Sequence, residues 1–226
     1  MRKALESVFG DTTIAESNNF LCIPAYNTIS ATPRVFKKDF HKFTEDDKKK
    51  YVDVALATAA APTYLPVHEI ESDQFADGGL WANNPMLVAL TEYLYKFADD
   101  TRFSGLEILS ISSCQKLSGE THKKLNRGFL GWKDTLFDAY SIGQSKSSLF
   151  LLAKLRDHLN FSFEFHRIEN TPLSSKQGKI IDMDNASEKS MKLLISIANQ
   201  TANNEKMKDE IAHYFTTKKT LHPKDY

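Results

Sequence analysis

A chain of 226 residues with 41% hydrophobic and 26% charged side chains has the make-up of one soluble globular unit, or the larger part of one, and is long enough to bury a core. Lysine plus arginine balances aspartate plus glutamate at 29 each, so no global field draws in a nucleic-acid polymer or an anionic lipid surface, and any such contact has to be local. Two cysteines, Cys22 and Cys114, far apart and without CxxC spacing, exclude a disulfide framework and suit a reducing cytoplasm.

The start, Met1-Arg2-Lys3, is basic, but Glu6 and the polar stretch from Gly10 interrupt any signal segment. No later run approaches the roughly 20 apolar residues that a membrane span needs. Phe20, Leu21, Cys22 and Ile23, bounded by asparagine and Pro24, predict a short buried strand over 19–26, and a polar, basic loop follows. Thr44-Glu45-Asp46-Asp47 reads as a helix start. Tyr51, Val52, Ala55, Leu56 and Ala59 follow it at helical spacing, and Pro62 ends the helix.

A short segment from Gln74 then runs into Asp77-Gly78-Gly79. Asn84 suits an N-cap and Pro85 a first helical position, opening a helix that turns Met86, Leu87, Leu90, Leu94 and Phe97 toward a core. The alternating run Leu106 to Ile111 predicts a strand, so the order strand, helix, strand emerges. Further on, Leu149 to Leu155 reads as helix and Phe161 to Phe165 as strand. Asp184 or Asn185 is positioned to cap a helix carrying Met191, Leu194 and Ile197, and a last stripe holds Met207, Ile211 and Phe215. No internal repeat, low-complexity tract or linker divides the chain, which reads as a single domain.

By itself Asp77-Gly78-Gly79 is a turn, and Asn83-Asn84-Pro85 is a helix start. Together with Ala57-Thr58-Ala59-Ala60-Ala61-Pro62 just upstream they form a longer mixed pattern, A-[ST]-x-A-x-P, then D-G-G, then N-N-P. That pattern resembles the second catalytic block of the patatin-like phospholipases, most closely from Tyr51 to Ile111. The resemblance implies an α/β fold of three layers, α/β/α, around a mostly parallel sheet. It also implies ester hydrolysis by a serine and an aspartate without a histidine, with Asp77 as that aspartate. Gly78, Gly79, Asn83, Asn84, Pro85, Ala61 and Pro62 are then the supporting positions. The glycines let the backbone pass a neighbour without a Cβ clash, and the alanines either pack the active-site wall or simply pack a helix.

The family's first block, a glycine-rich oxyanion turn and a G-x-S-x-G elbow, is absent: the nine glycines nowhere bracket a serine at that spacing. The expectation is therefore that residues 1–226 are the C-terminal part of one such domain, inactive alone, with a further chain or segment supplying the serine. Ser110, Ser112 and Ser113 lack an elbow glycine, and Ser112-Ser113-Cys114-Gln115 stands where relatives show L-G-T-G. A triad through His41 or His68 is the less favoured alternative, and His166 and Arg167 either touch a ligand or end a strand. No spacing suggests a metal, and no cofactor is expected.

The partners implied are a phospholipid or other fatty acyl ester, a membrane surface touched peripherally, and no nucleic-acid polymer. The F-x-x-H-R-I segment and the terminal helix pair further resemble bacterial members switched on by cyclic nucleotides in defence against phage. The competing readings are a non-catalytic binding or regulatory remnant, and a piece that does not fold stably by itself.

Overall fold

A computed structural model of the chain describes residues 1–40, 43–114, 125–126, 128–132, 135–182, 184–206 and 208–216. His41, Gln115 and Met207 lie outside the described residues. The described residues divide into two compact units, one within 1–91 and 141–151, the other within 92–140 and 152–216.

The first unit opens with α1 (Arg2–Phe9) and a 3-10 turn at Ile14–Glu16, then β1 (Cys22–Asn27), β2 (Thr32–Lys37), α2 (Tyr51–Thr58), β3 (His68–Ile70), β4 (Asp73–Asp77), α3 (Gly79–Ala82) and the start of α4 (Met86–Lys96). Its strands form one sheet in the order β2-β1-β4-β3, antiparallel at every pairing. The links explain two of these directions, because the hairpin-length connections β1–β2 and β3–β4 can only return the chain antiparallel, and the two hairpins then pair through β1 and β4. At 28–31 Asn27 Oδ1 accepts the N–H groups of Ile29 and Ser30, and Ala31 takes φ 54°. At 71–72 Glu71 takes φ 59°. Beneath the sheet lie Ile14, Ala25, Phe36, Val54, Ala57 and Phe75, with Phe36 and Phe75 edge to face at 5.1 Å.

The second unit holds β5 (Gly105–Ile111) and β6 (Ser162–Ile168), paired in parallel, Leu106 opposite Phe163 and Ile111 opposite Ile168. Around them the chain forms α5 (Phe129–Trp132), α6 (Leu136–Leu155), α7 (Ser175–Gly178), α8 (Glu188–Glu205) and α9 (Asp209–Thr216). Residues 141–151 of α6 count with the first unit. Leu173, Ile181 and Ile197 make a small core in the second.

The α/β class is as expected, but the parallel pairing is confined to β5 and β6 among the described strands, and the larger sheet is built of hairpins. The stretch read as a basic loop after Tyr26 contains β2, whose Phe36 is fully buried under its charged neighbours.

Thr44 to Asp47 do not start α2, which begins at Tyr51 after Lys50 and ends at Thr58, ahead of Pro62. The carboxylates that suggested a cap are used elsewhere. Asp46 accepts the Lys37 N–H at 2.9 Å and pairs with Arg34 at 2.6 Å, and Asp47 accepts the Asp39 N–H at 2.8 Å.

Helix α4 buries Met86, Leu90 and Tyr93, while Leu94 is 43% exposed. Helix α8 is capped by Ser187, whose hydroxyl accepts the Ser190 N–H, with Asn185 one turn out accepting the Ser187 N–H. In α9 Ile211 is buried and Phe215 faces out. Helix α6 starts well before Leu149 because its inner face carries Ser145 and Ser148, both buried, which hides the apolar periodicity.

Candidate active site

Asp77 is the last residue of β4, opposite Ala25 of β1. Its N–H donates to the Ala60 carbonyl at 2.9 Å, so the tail of α2 carries on the hydrogen bonding that β3 leaves off. The side chain is half-buried. Its Oδ1 accepts the Gly79 N–H at 2.6 Å, and Oδ2 has no hydrogen-bond partner among the described residues. Burial pushes the carboxyl above its ordinary value, and the Gly79 N–H only partly offsets this.

The two glycines serve the turn in different ways. Gly78 is buried in an ordinary right-handed conformation, φ −62° and ψ −18°, so positive φ is not what it supplies. A Cβ there would collide with the Pro24 carbonyl, lying 2.5 Å from its carbon and 2.7 Å from the Pro24 Cβ. A Cβ on Gly79 would sit 3.0 Å from Asp77 Oδ1 and press on the carboxylate directly. The D-G-G tripeptide is thus not a hairpin tip; it passes the chain from β4 straight into α3.

Asn83 Nδ2 donates to the Ser141 carbonyl at 3.0 Å, and its backbone N–H donates to Gln144 Oε1 at 2.6 Å. Gln144 in turn donates from Nε2 to the Leu80 carbonyl at 3.3 Å. Asn84 is buried, caps α4 by accepting the Met86 N–H at 3.4 Å and donates to the Ser145 carbonyl at 3.5 Å. Pro85 then takes the first turn, where its missing N–H costs nothing. Asn84 and Pro85 therefore hold the start of α4, and Asn83 lies closer to the carboxylate, its Oδ1 being 3.8 Å from where a Gly79 Cβ would stand.

Ala61 is buried, and its carbonyl accepts the N–H groups of both Tyr64 and Leu65, closing a turn after Pro62 in which Thr63 takes φ 72°. Neither Ala61 nor Pro62 hydrogen-bonds Asp77; Ala60 does.

Three further residues grip the same spot. Thr58 Oγ1 donates to the Pro24 carbonyl at 2.6 Å, Trp81 Nε1 donates to the Ala25 carbonyl at 2.7 Å, and Gln144 spans Leu80 to Asn83. Trp81 and Thr58 stood inside the motif as sequence. Gln144, distant in the chain, carried no signal there.

His68, Ser110, His166 and Arg167 are engaged elsewhere. His68 Nε2 pairs with Asp53 at 3.2 Å, and Arg2 also reaches Asp53 at 2.8 Å. Burial pushes the Asp53 carboxyl up, but these two partners together hold it below its usual value. Ser110 accepts from Arg167 Nη1 at 2.7 Å, Arg167 also pairs with Glu169 at 2.9 Å, and the His166 ring meets that of Tyr214 edge-on at 5.8 Å. A cavity of about 340 Å3 in the first unit is lined by Arg34, Phe36, Lys49, Glu71 and Phe75 among others, and Asp77 is not part of its wall.

Residues 1–90, which include Asp77 and both motif segments, match the patatin-like phospholipase family model. Over 80% of its length the chain is 33% identical to a cGAMP-activated phospholipase of Pseudomonas aeruginosa, covering 54% of that protein. It is 30% identical over 95% of its length to a cGAMP-activated phospholipase of Vibrio cholerae, covering 64% of it. A protein of Solanum tuberosum named probable inactive patatin-3-Kuras 1 is 24% identical over 87% of the chain. The chain thus spans between half and two thirds of the length of these bacterial relatives.

Proposed function

We propose, from the premise that this chain belongs to the patatin-like phospholipase family, that it is the C-terminal part of a lipid acyl hydrolase and contributes the aspartate of a Ser-Asp pair, Asp77. The observation that carries this reading is the half-buried carboxylate with one oxygen fixed by Gly79 and the other without a hydrogen-bond partner among the described residues. A fixed carboxylate of raised proton affinity is the weak but prealigned base that such chemistry needs. A serine hydroxyl, from polypeptide beyond this sequence, hands its proton to Asp77 Oδ2 as its oxygen attacks the ester carbonyl of a phospholipid. Collapse of the tetrahedral intermediate expels the alcohol, which takes that proton back and leaves an acyl-serine. Water, deprotonated by Asp77 in turn, releases the fatty acid and restores the serine.

The test is to coexpress the chain with a segment bearing the glycine-rich turn and the G-x-S-x-G elbow, and to measure fatty acid release from phospholipid. Asp77→Asn, nearly isosteric, abolishes release while the fold stays intact; activity within a few fold of the parent removes Asp77 from the pair.

The names of the bacterial relatives support regulation by a cyclic dinucleotide. Adding a panel of these nucleotides to the complete protein raises its hydrolysis rate, and no response across a broad panel counts against that regulation. Among the described residues no helix is long and apolar enough to cross a membrane. The two cysteines without disulfide spacing support a reducing cytoplasm as the place of this enzyme, with peripheral contact to lipid during turnover. The second reading is a remnant without activity, favoured by the relative named as probably inactive. A reading frame upstream that encodes the first block supports the enzyme, and unrelated sequence there supports the remnant.

A further inference from the structure

We infer that Thr58 is a positioning residue for Asp77, acting through the carbonyl of Pro24; this rests on Asp77 being the base. The Thr28 N–H donates to the Gln74 carbonyl at 2.8 Å, so along β1 the alternate residues Tyr26 and Pro24 turn their backbone toward the β4 side. The register between β1 and β4 ends at Ala25 opposite Asp77. Pro24, one residue further, therefore meets Gly78 instead of a ladder partner. The contact has no slack, because even a methyl group at residue 78 would overlap the Pro24 backbone.

The Pro24 carbonyl takes its hydrogen bond from the Thr58 hydroxyl at 2.6 Å. Two residues on, Ala60 accepts the Asp77 N–H. The end of α2 thus grips the aspartate from both sides: by its own amide, and by the carbonyl that its glycine neighbour leans on. The carboxylate points where it does because Gly79 follows in the same turn and donates to Oδ1. Without the hydroxyl, the Pro24 carbonyl is a half-buried acceptor in need of a donor, and water or a backbone shift beside Gly78 supplies one. A β-hydroxyl at residue 58 is all the geometry asks for, so serine serves as well as threonine. This gives the [ST] of the A-[ST]-x-A-x-P pattern a physical task distinct from helix packing.

The experiment compares Thr58→Val, which keeps the shape and loses the hydroxyl, with Thr58→Ser, which keeps the hydroxyl, in the full chain. Circular dichroism reports folding, and the carboxyl carbon resonance of Asp77 reports its titration. Thr58→Val is expected to fold, with Asp77 titrating lower, nearer an ordinary carboxylate, as water gains access; Thr58→Ser titrates as the parent does. Parental titration in Thr58→Val, or a valine-like shift in Thr58→Ser, overturns the assignment. Should the valine variant not fold, Thr58→Ala is compared with Thr58→Ser by the same resonance and decides in the same way.

Coexpressed with the serine-bearing segment, Thr58→Val loses about 10- to 100-fold in kcat with KM within about twofold, as a base displaced by a fraction of an ångström would. Loss of hydrolysis in Asp77→Asn beside a parental kcat in Thr58→Val sinks the positioning role alone. Parental hydrolysis in Asp77→Asn sinks the catalytic reading first, and the positioning role falls with it.

Discussion

Burial raises the proton affinity of the Asp77 carboxyl, and one short N–H contact from Gly79 opposes it without cancelling it. The folded state therefore binds the Asp77 proton more tightly than the unfolded chain does. The side chain favours folding while protonated, and that contribution is lost as pH rises from the ordinary carboxylate value through the raised one. Asp77→Asn is then expected to melt higher than the parent at pH 7, since the amide oxygen still accepts from Gly79 and no buried charge remains. The gap closes as pH falls into the range where the parent carboxyl is protonated, which melts recorded between pH 4 and 8 will show. Gly78→Ala makes the opposite case, because its Cβ meets backbone rather than a flexible side chain. It is expected to destabilise by about 1–3 kcal/mol in guanidinium titrations, the usual range for an overpacked site.

The elements that hold the aspartate were legible in the sequence to different degrees, and the differences have physical causes. The strand before D-G-G, the cap at Asn84 and the start of α4 follow from local chemistry, and they appear where expected. Helix α6, with the Gln144 that grips the Leu80 to Asn83 turn, was hidden because serines, Ser145 and Ser148, share its buried face with Leu152 and break the apolar stripe. Strand β2 was hidden because only Phe36 in its run of polar and charged residues reaches the core.

The misread start of α2 is the instructive one. Acidic residues ahead of an apolar run mark a helix N-terminus only if their oxygens are free to bind its amides, and those of Asp46 are taken by Arg34 and the Lys37 N–H. Asp46 is fully buried, and burial pushes its carboxyl up in spite of Arg34. Asp46→Ala leaves Arg34 with the Val35 carbonyl at 2.7 Å and the looser Glu45 contact at 3.4 Å, and removes the carboxylate that accepts the Lys37 N–H. A loss of about 3 kcal/mol is expected, near the low end for a broken buried pair because Arg34 keeps some access to water. Urea denaturation measures it, and Asp46→Asn, which retains an acceptor, loses less.

At the scale of the whole molecule the balance of 29 basic and 29 acidic residues bears on how the proposed hydrolase would meet lipid. A chain of zero formal net charge gains little as a whole from the potential of an anionic surface, so attraction to a membrane rests on local contacts, and exposed apolar side chains are one source of them. The turn that follows the Ala60 contact with Asp77 offers such side chains: Tyr64, Leu65 and Val67 are 43%, 37% and 50% exposed, between the tail of α2 and β3. They follow directly in the chain on the Ala60 that accepts the Asp77 N–H, and under the proposed function they are the apolar side chains that meet lipid.

Co-sedimentation with vesicles tests this. Binding to zwitterionic phosphatidylcholine vesicles is expected to match binding to vesicles carrying anionic lipid within about threefold. It should also change little as salt is raised through the range where the screening length falls from about 10 to about 3 Å. Leu65→Ser together with Val67→Ser removes much of the exposed apolar area and weakens both alike, by several fold. Strong preference for the anionic vesicles, abolished by salt, would assign the contact to a local basic patch and take it away from this turn.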